Sequence, residues 1–203
     1  MIEILIKKTS EKDFFQTENI TREAFWNLYR PGCVEHLILH NMRNSNSYIS
    51  RLDLIAVSKN EIIGHIISTK AKVIDSQNIE HEILCVGPFA VLPIFQKKGI
   101  GSKLLNQSIV IAKELGYIGM ILFGNPEYYH RFGFRNAKEY DITTKDCQNF
   151  EPFMALEFQN NGLADVKGRF IEDNVFETNA DDLNEFDKKF PYKEKLKTDT
   201  QLE

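Results

Sequence analysis

Val91-Leu92-Pro93-Ile94-Phe95-Gln96-Lys97-Lys98-Gly99-Ile100-Gly101-Ser102 is the stretch on which the reading of this chain turns. An apolar run from Glu82 to Val91 precedes it and reads as a strand. After it, Leu104, Leu105, Ile109, Ala112 and Leu115 repeat on one face of a helix from Ser102 to Leu115, and Gly116 stands where a helix-ending glycine belongs. Strand, glycine loop and long helix therefore follow one another directly. The first amides of a helix lack internal partners, and the helix dipole leaves partial positive charge there, so such an end attracts anions. Glycines at 99 and 101 let phosphate oxygens approach the backbone closely, and Lys97 and Lys98 add charge beside them. Two familiar phosphate loops are excluded. No G-x-x-x-x-G-K-[ST] run occurs, and Leu104 stands where a dinucleotide fingerprint needs its third glycine. Local chemistry leaves two readings open: an anion site, or glycines that merely shape a tight turn.

Working outward, Ile2, Ile4 and Ile6 alternate with Glu3, Leu5 and Lys7 as in a strand. Ser10 with Asp13 reads as a helix start, and Phe14, Thr17, Thr21, Ala24, Phe25 and Leu28 follow at helical spacing until Pro31-Gly32 stops them. A second helix is expected over Val34 to Arg43. Leu52 to Ala56 and Ile62 to Thr69 form a hairpin about Lys59-Asn60. A polar loop near Asp75 to Asn78 separates them from the strand that ends at Val91. Beyond Gly116, Ile118 to Phe123 is a short buried strand, Pro126 to Arg131 a short helix with proline in its first turn, and Phe153 to Phe158 a further strand. Hairpins mixed with one β-α-β crossover make this an α+β chain with a mixed, mostly antiparallel sheet and helices on both faces.

The 203 residues suit one domain with an appended element, and 42% apolar residues, 15 of them Phe, suffice for a core. A formal net charge of −4 and the absence of a basic cluster argue against nucleic acid. Cys33, Cys85 and Cys147 are scattered and odd in number, so neither a disulfide framework nor a zinc site is expected. His36 and His40 share a helix face, but Leu-Ile-Leu between them lacks the glutamate of a metalloprotease helix, and no metal is expected. No window reaches the ~18 apolar residues of a membrane span, and no signal-peptide pattern precedes the first strand, so the expected location is the cytoplasm.

The spacing Gln96-x-x-Gly99-x-Gly101 after a strand resembles the acetyl-CoA signature of the GCN5-related N-acetyltransferases, the GNAT superfamily. Gly124-Asn125-Pro126-Glu127-Tyr128-Tyr129-His130-Arg131-Phe132-Gly133-Phe134 resembles the corresponding segment of its YhbS-like branch, in which a tyrosine lies four residues before a Gly-Phe pair. Val86-Gly87-Pro88-Phe89-Ala90-Val91 and Phe153-Met154-Ala155-Leu156-Glu157 fit the same branch. One departure is Asn125, only four residues ahead of Tyr129 and followed by Pro126, where many members carry an asparagine about two helical turns upstream.

The resemblance implies a GNAT-like sheet of about seven strands over residues 1–160. A C-terminal extension, 161–192, would pack on that domain or border the acceptor cleft, and a polar, frayed tail would follow over 193–203. It implies acetyl-CoA as cosubstrate, without a metal, and direct transfer of acetyl to a small-molecule or peptide amine. It makes a homodimer admissible. It places the cofactor against Phe89, Ala90, Val91, Gln96, Lys97, Lys98, Gly99, Ile100, Gly101, Ser102, Asn125, Tyr128 and Phe132. Tyr129 would be the general acid, and Glu82, with Glu80 and His81 nearby, the place to look for a base, although an exposed strand entry is the preferred reading of these two carboxylates. A catalytically silent acyl-CoA-binding module is the competing reading.

Overall fold

The computed structural model of the chain describes residues 3–201. The first strand, β1 (Leu5–Lys8), carries the second half of the alternating N-terminal run; Ile2 lies outside the described residues. A 3-10 turn over Glu11–Asp13 leads into α1 (Phe14–Phe25), its entry fixed by the Asp13 carboxylate, which accepts from the Ser10 backbone N–H at 3.1 Å. The helix stops short of the expected Leu28 because Asn27 takes a left-handed backbone, φ 59°, and its side-chain oxygen accepts from Gly32 N at 2.8 Å. α2 (Glu35–Met42) follows.

β2 (Tyr48–Ser58) and β3 (Glu61–Ile74) form a long hairpin. Lys59 and Asn60, at φ 47° and 66°, make the mirror-image turn whose twist suits paired strands. β4 (Glu80–Val91) pairs with β3, α3 (Ile100–Glu114) crosses over, and β5 (Gly119–Phe123) returns parallel to β4. α4 (Pro126–Tyr129), β6 (Arg135–Asn136), β7 (Ile142–Thr143), β8 (Phe153–Glu157), β9 (Gly168–Ile171) and α5 (Ala180–Asp187) complete the described elements.

The strands form one sheet in the order β1-β2-β3-β4-β5-β8-β6, with β9 on the far end of β3 and β7 on β9, nine strands in all. The count exceeds the figure of about seven expected from sequence, and β6, β7 and β9 are the strands that the sequence reading did not locate. Each has at most four residues, too few for an alternation to register.

α3 covers one face, where Ile100, Leu104 and Leu105 pack on Leu54, Ile66 and Leu84. The opposite face has three smaller cores. Ile20 of α1 meets Ile55 and Ala90. Val34, Ile38 and Met42 around α2 cover Ile67. Ile83, Cys85, Ile121, Phe153 and Phe170 form the third. Fully burying one such aliphatic or aromatic side chain stabilises by about 1.5–3 kcal/mol.

The C-terminal residues are fastened to α1. Arg22 donates from Nε to Asp187 Oδ1 at 2.7 Å, and Phe186 and Phe190 pack on Leu37. The polar tail, expected to fray, is bonded instead. The Glu194 carbonyl accepts from Trp26 Nε1 at 2.9 Å and from Asn27 Nδ2 at 3.1 Å, and Leu196 N donates to Asn27 Oδ1 at 3.0 Å. Polarity misled here because the tail meets backbone and amide groups, not an apolar face. Among the described residues no helix is long and apolar enough to cross a membrane.

Candidate functional site

Parallel pairing of β4 with β5 is confined to Leu84 with Met120 and Cys85 with Ile121. Beyond Cys85 the two strands part. The cause lies in β4. Between the pairs Ile66–Phe89 and Ser68–Val86, one β3 residue faces two on β4, Gly87 and Pro88, which is a bulge that bends the strand. Gly87 has φ 133°, a conformation open to glycine and costly to other residues. Backbone groups of β4 from Val86 to Val91 thus line an opening in the sheet.

The glycine loop stands at the upper end of that opening. Gln96 donates from Nε2 to the Val91 carbonyl at 3.0 Å, tying the loop back to the strand, and Lys98 donates from Nζ to the Ile94 carbonyl at 2.7 Å. Lys97 takes φ 60° and Gly99 φ 79°. The two glycines serve different needs. Gly99 needs the left-handed backbone and has open space around it; Gly101 is helical and needs the absence of a side chain, since a Cβ there would lie 2.6 Å from the Tyr128 hydroxyl and 3.1 Å from Phe89 Cζ. The first-turn amides of Ile100, Gly101 and Ser102 lie beyond the reach of any capping side chain on Gly99.

Tyr128, Phe89 and Phe132 gather over this helix end. Ring centroids are 6.3 Å apart for Phe89 and Tyr128 and 5.4 Å for Tyr128 and Phe132, and the Arg131 guanidinium lies 4.6 Å from the Tyr128 ring. The Tyr128 hydroxyl is hydrogen-bonded to Ser102; burial raises its pKa above the usual phenol range. Asn125, expected at the cofactor, caps α4: its Oδ1 accepts from Glu127 N at 2.9 Å. Ala90 points to the α1 core, and its backbone borders the opening.

Tyr129 stands beside the opening, half-buried. Its ring packs edge-on against Phe134, centroids 5.5 Å apart, and against Tyr128 at 5.0 Å. Burial raises its pKa well above the phenol range, with Tyr128 and Tyr29 adding to the effect, so the hydroxyl keeps its proton at neutral pH. Gly124 makes this placement possible. A Cβ there would lie 2.2 Å from the Tyr129 ring, so position 124 cannot carry a side chain while the ring stays in place. The motif contains Gly124, but its purpose shows only in three dimensions.

Glu82 lies towards the start of β4, paired with Lys72, three residues before Cys85 and about 10 Å along the strand from it. Its exposed carboxylate lies 3.8 Å from Lys70 Nζ and is hydrogen-bonded by Tyr117. Glu80 is engaged by Lys72 Nζ at 2.6 Å and His81 by Asp75 at 3.2 Å. Glu80, Glu82, Lys70 and Lys72 border a groove of about 330 Å³ that Glu172 and Asp173 also line.

Sequence reading missed a polar cluster beneath α1 and α2. Asp53 and His65, both fully buried, are joined at 2.8 Å, and Arg43 Nε and the Tyr48 hydroxyl donate to Asp53 Oδ2 at 3.0 and 3.1 Å. Burial works to raise the Asp53 pKa, but His65 and Arg43 outweigh it and hold the carboxyl far below its ordinary value. The His65 pKa is lowered, chiefly by burial, with Asp53 opposing the shift. Asp53 sits in an alternating apolar strand; its only sequence signal was a charge at a position whose neighbours on the same face are buried. Among the described residues no three His, Cys, Asp or Glu side chains gather as metal ligands.

Residues 51–136 match the family model described as the acetyltransferase (GNAT) domain. An N-acetyltransferase of Escherichia coli K12, YhbS, itself uncharacterised, is 25% identical over 135 residues, 66% of this chain and 78% of the relative. The fold matches the crystal structure of Escherichia coli YhbS in complex with CoA, TM-score 0.77 at 20% identity, covering 88% of this chain and 94% of that one. It also matches a GNAT family acetyltransferase from Brucella melitensis in complex with acetyl-CoA, TM-score 0.70 at 24% identity, covering 87% and 99%. The domain model spans the glycine loop and the tyrosine segment, so residues 51–136 of this chain are similar to the GNAT acetyltransferase domain, and the fold and the Escherichia coli relative support a likeness to its YhbS-like branch.

Proposed function

We propose that the protein transfers acetyl from acetyl-CoA to a primary amine by direct attack. The observation that carries this reading is the juxtaposition of two groups across the β4–β5 opening: an uncapped helix start at Gly99–Ser102, and Tyr129, a phenol held protonated by burial. The fold neighbours named above bind CoA and acetyl-CoA, which supports the same donor here.

In this reading the pyrophosphate rests on the amides of Gly99 to Ser102, with Lys97 and Lys98 adding positive charge. The pantetheine runs along Phe89 to Val91, where the bulge leaves β4 backbone groups free. The acceptor must be neutral to attack, yet an alkyl ammonium has a pKa of about 10, so it sheds a proton to water in the opening. Its nitrogen forms the new C–N bond, and the oxyanion that results is met by a β4 amide. Collapse breaks the C–S bond, and the sulfur takes a proton from Tyr129, which is restored from solvent. The nitrogen loses two protons in all, one from the ammonium before attack and one from the tetrahedral intermediate to water; one proton reaches the CoA sulfur, so one is released net.

Titration of the protein with acetyl-CoA by calorimetry tests the first half, and a panel of primary amines assayed by CoA release tests the second. Binding in the micromolar range with turnover of at least one amine is expected. Binding without turnover of any amine would favour the silent acyl-CoA-binding module.

A further inference from the structure

Cys85 is the last β4 residue paired with β5, so it marks the foot of the opening. On the sheet face away from α3, several unusual groups surround that point. Phe123 ends β5, and its ring lies 5.8 Å from Phe150, 5.1 Å from Phe153 and 6.3 Å from Phe170. Phe153 and Phe170 are buried, yet Phe123 and Phe150 remain 44% and 46% exposed. Two adjacent, half-exposed phenylalanines on a soluble-sized domain form an apolar surface beside the opening.

A carboxylate stands nearby. Glu172 directly follows β9, in which Phe170 pairs with Val73 and Ile171 with Lys72, and it lines the groove bordered by Glu80 and Glu82. Its charge reaches the buried Cys85 thiol and helps to raise the thiol's pKa. Glu172 is half-buried, and burial raises its own pKa; Lys145 opposes this only from a distance, because its ammonium is engaged by Glu177 at 2.8 Å. Among the described residues no donor lies within hydrogen-bond or ion-pair distance of the Glu172 carboxylate. Other acids of the groove are occupied: Glu80 by Lys72 Nζ at 2.6 Å, Glu82 by Lys70 Nζ at 3.8 Å, and Asp173, which accepts from Ser45 Oγ and Val175 N, both at 2.9 Å. On the same face Thr69, cross-strand from Cys85 and fully buried, has a hydroxyl without a partner among the described residues.

We propose that this face is the acceptor subsite and that it selects an amine carried on an apolar body of aromatic size. Phe123 and Phe150 receive the body. The Glu172 carboxylate attracts the ammonium and holds it at the foot of the opening, one short step from the acetyl group. The inference rests on the acetyl-transfer reading above for what happens next, but its binding content stands apart from it. An unpaired, half-desolvated carboxylate beside two open rings matches a cation with a hydrophobic tail and repels an acidic or strongly polar acceptor.

The test is calorimetric titration of CoA-saturated protein with 2-phenylethylamine and with ethanolamine, followed by the amine assay. 2-Phenylethylamine should bind at least tenfold tighter than ethanolamine. Glu172→Gln should weaken it tenfold or more while leaving acetyl-CoA affinity within twofold. Phe150→Ala, a surface change that does not threaten the fold, should erase most of the preference between the two amines. In turnover, Glu172→Gln should raise KM for 2-phenylethylamine much more than it lowers kcat. Equal affinity for the two amines, or a Glu172→Gln protein that binds 2-phenylethylamine like wild type, would overturn the subsite. Discriminating binding without acetylation would keep the subsite and overturn the transfer reading.

Discussion

The two sides of the β4–β5 opening are built in opposite ways. On the cofactor side everything is local: Gln96 reaches five residues back to Val91, Gly99 and Gly101 flank one helix start, and Tyr128 and Tyr129 sit in one turn after β5. On the sheet face away from α3 the partners are remote. Trp26 and Asn27 meet Glu194, Arg22 meets Asp187, and Phe123 meets Phe170. One side is written in spacing and backbone, the other in side chains that only tertiary packing brings together. Substitutions on the cofactor side should therefore act on donor binding and the chemical step, and those on the remote side on acceptor binding and stability.

The largest expected effect is that of Gly101→Glu. The new side chain meets the Tyr128 hydroxyl at once and puts negative charge where the helix end attracts anions. Acetyl-CoA affinity by calorimetry should fall at least a hundredfold, with an unfolding temperature close to that of wild type. Retained affinity would move the pyrophosphate away from α3 and dissolve the contrast between the two sides.

Tyr129→Phe should come next. Loss of a positioned proton donor costs about 10²–10³-fold in kcat, and acetyl-CoA affinity should stay within threefold. Because burial holds the phenol protonated well above its ordinary range, wild-type kcat/KM should keep rising up to pH 9 as the amine loses its proton, with no tyrosine-linked fall. A fall between pH 7 and 9 would assign the phenol another role. Gly124→Ala sharpens the point without touching the hydroxyl. The added methyl collides with the Tyr129 ring, and kcat should drop about tenfold through misplacement alone.

This division also explains what was legible in the sequence. The helix start at the glycine loop, the β4-α3-β5 crossover and the Tyr129 segment follow from glycines at fixed offsets and from apolar periodicity, which are local properties. Glu82 could not be placed from sequence, because an acidic residue at a strand entry looks alike whichever end of the strand borders the site; only the register with Lys72 puts it three residues before Cys85, where pairing with β5 ends. β9 was invisible because Gly168–Ile171 has no alternation to read, and its partner on β3 lies almost a hundred residues earlier. The Asp53–His65–Arg43 cluster left no periodic trace, since a polar residue on a buried strand face departs from the pattern without naming its partner.

A pH experiment probes the remote side through His36. It is fully buried between Asp187 and the rings of Phe186 and Phe190, and burial lowers its pKa from 6.5 to about 4. Asp187 favours the charged form but does not offset that cost. Between those values the unfolded chain binds a proton that the folded chain does not, so this residue's contribution to stability is present above pH 6.5 and is lost as pH falls towards 4. The loss is about 1.4 kcal/mol per unit of pH across that window. Urea unfolding of wild type and His36→Gln at pH 7, 6 and 5 should show the gap between them narrowing with acid. A constant gap would mean that His36 does not titrate between folded and unfolded states.

The smallest effect is expected from deleting residues 194–203. The bonds from Trp26 and Asn27 to Glu194, and from Leu196 back to Asn27, lie at the surface, where each contributes roughly 0.5–1.5 kcal/mol net and the ordering of a polar tail offsets part of that. Stability should change by about 1 kcal/mol. The tail nevertheless grips the linker after α1, and that linker carries Tyr29 towards Tyr129. Acceptor KM should therefore rise about two- to fivefold while acetyl-CoA affinity stays unchanged. Asn27→Ala removes the bonds to both Gly32 and Leu196 and should reproduce the KM change with the tail still present. If the truncated protein keeps its acceptor KM while Asn27→Ala alters it, the linker is shaped by its own internal bond to Gly32, and the tail only adds stability. If neither moves it, the remote side of the opening reaches the acceptor through Phe123, Phe150 and Glu172 alone.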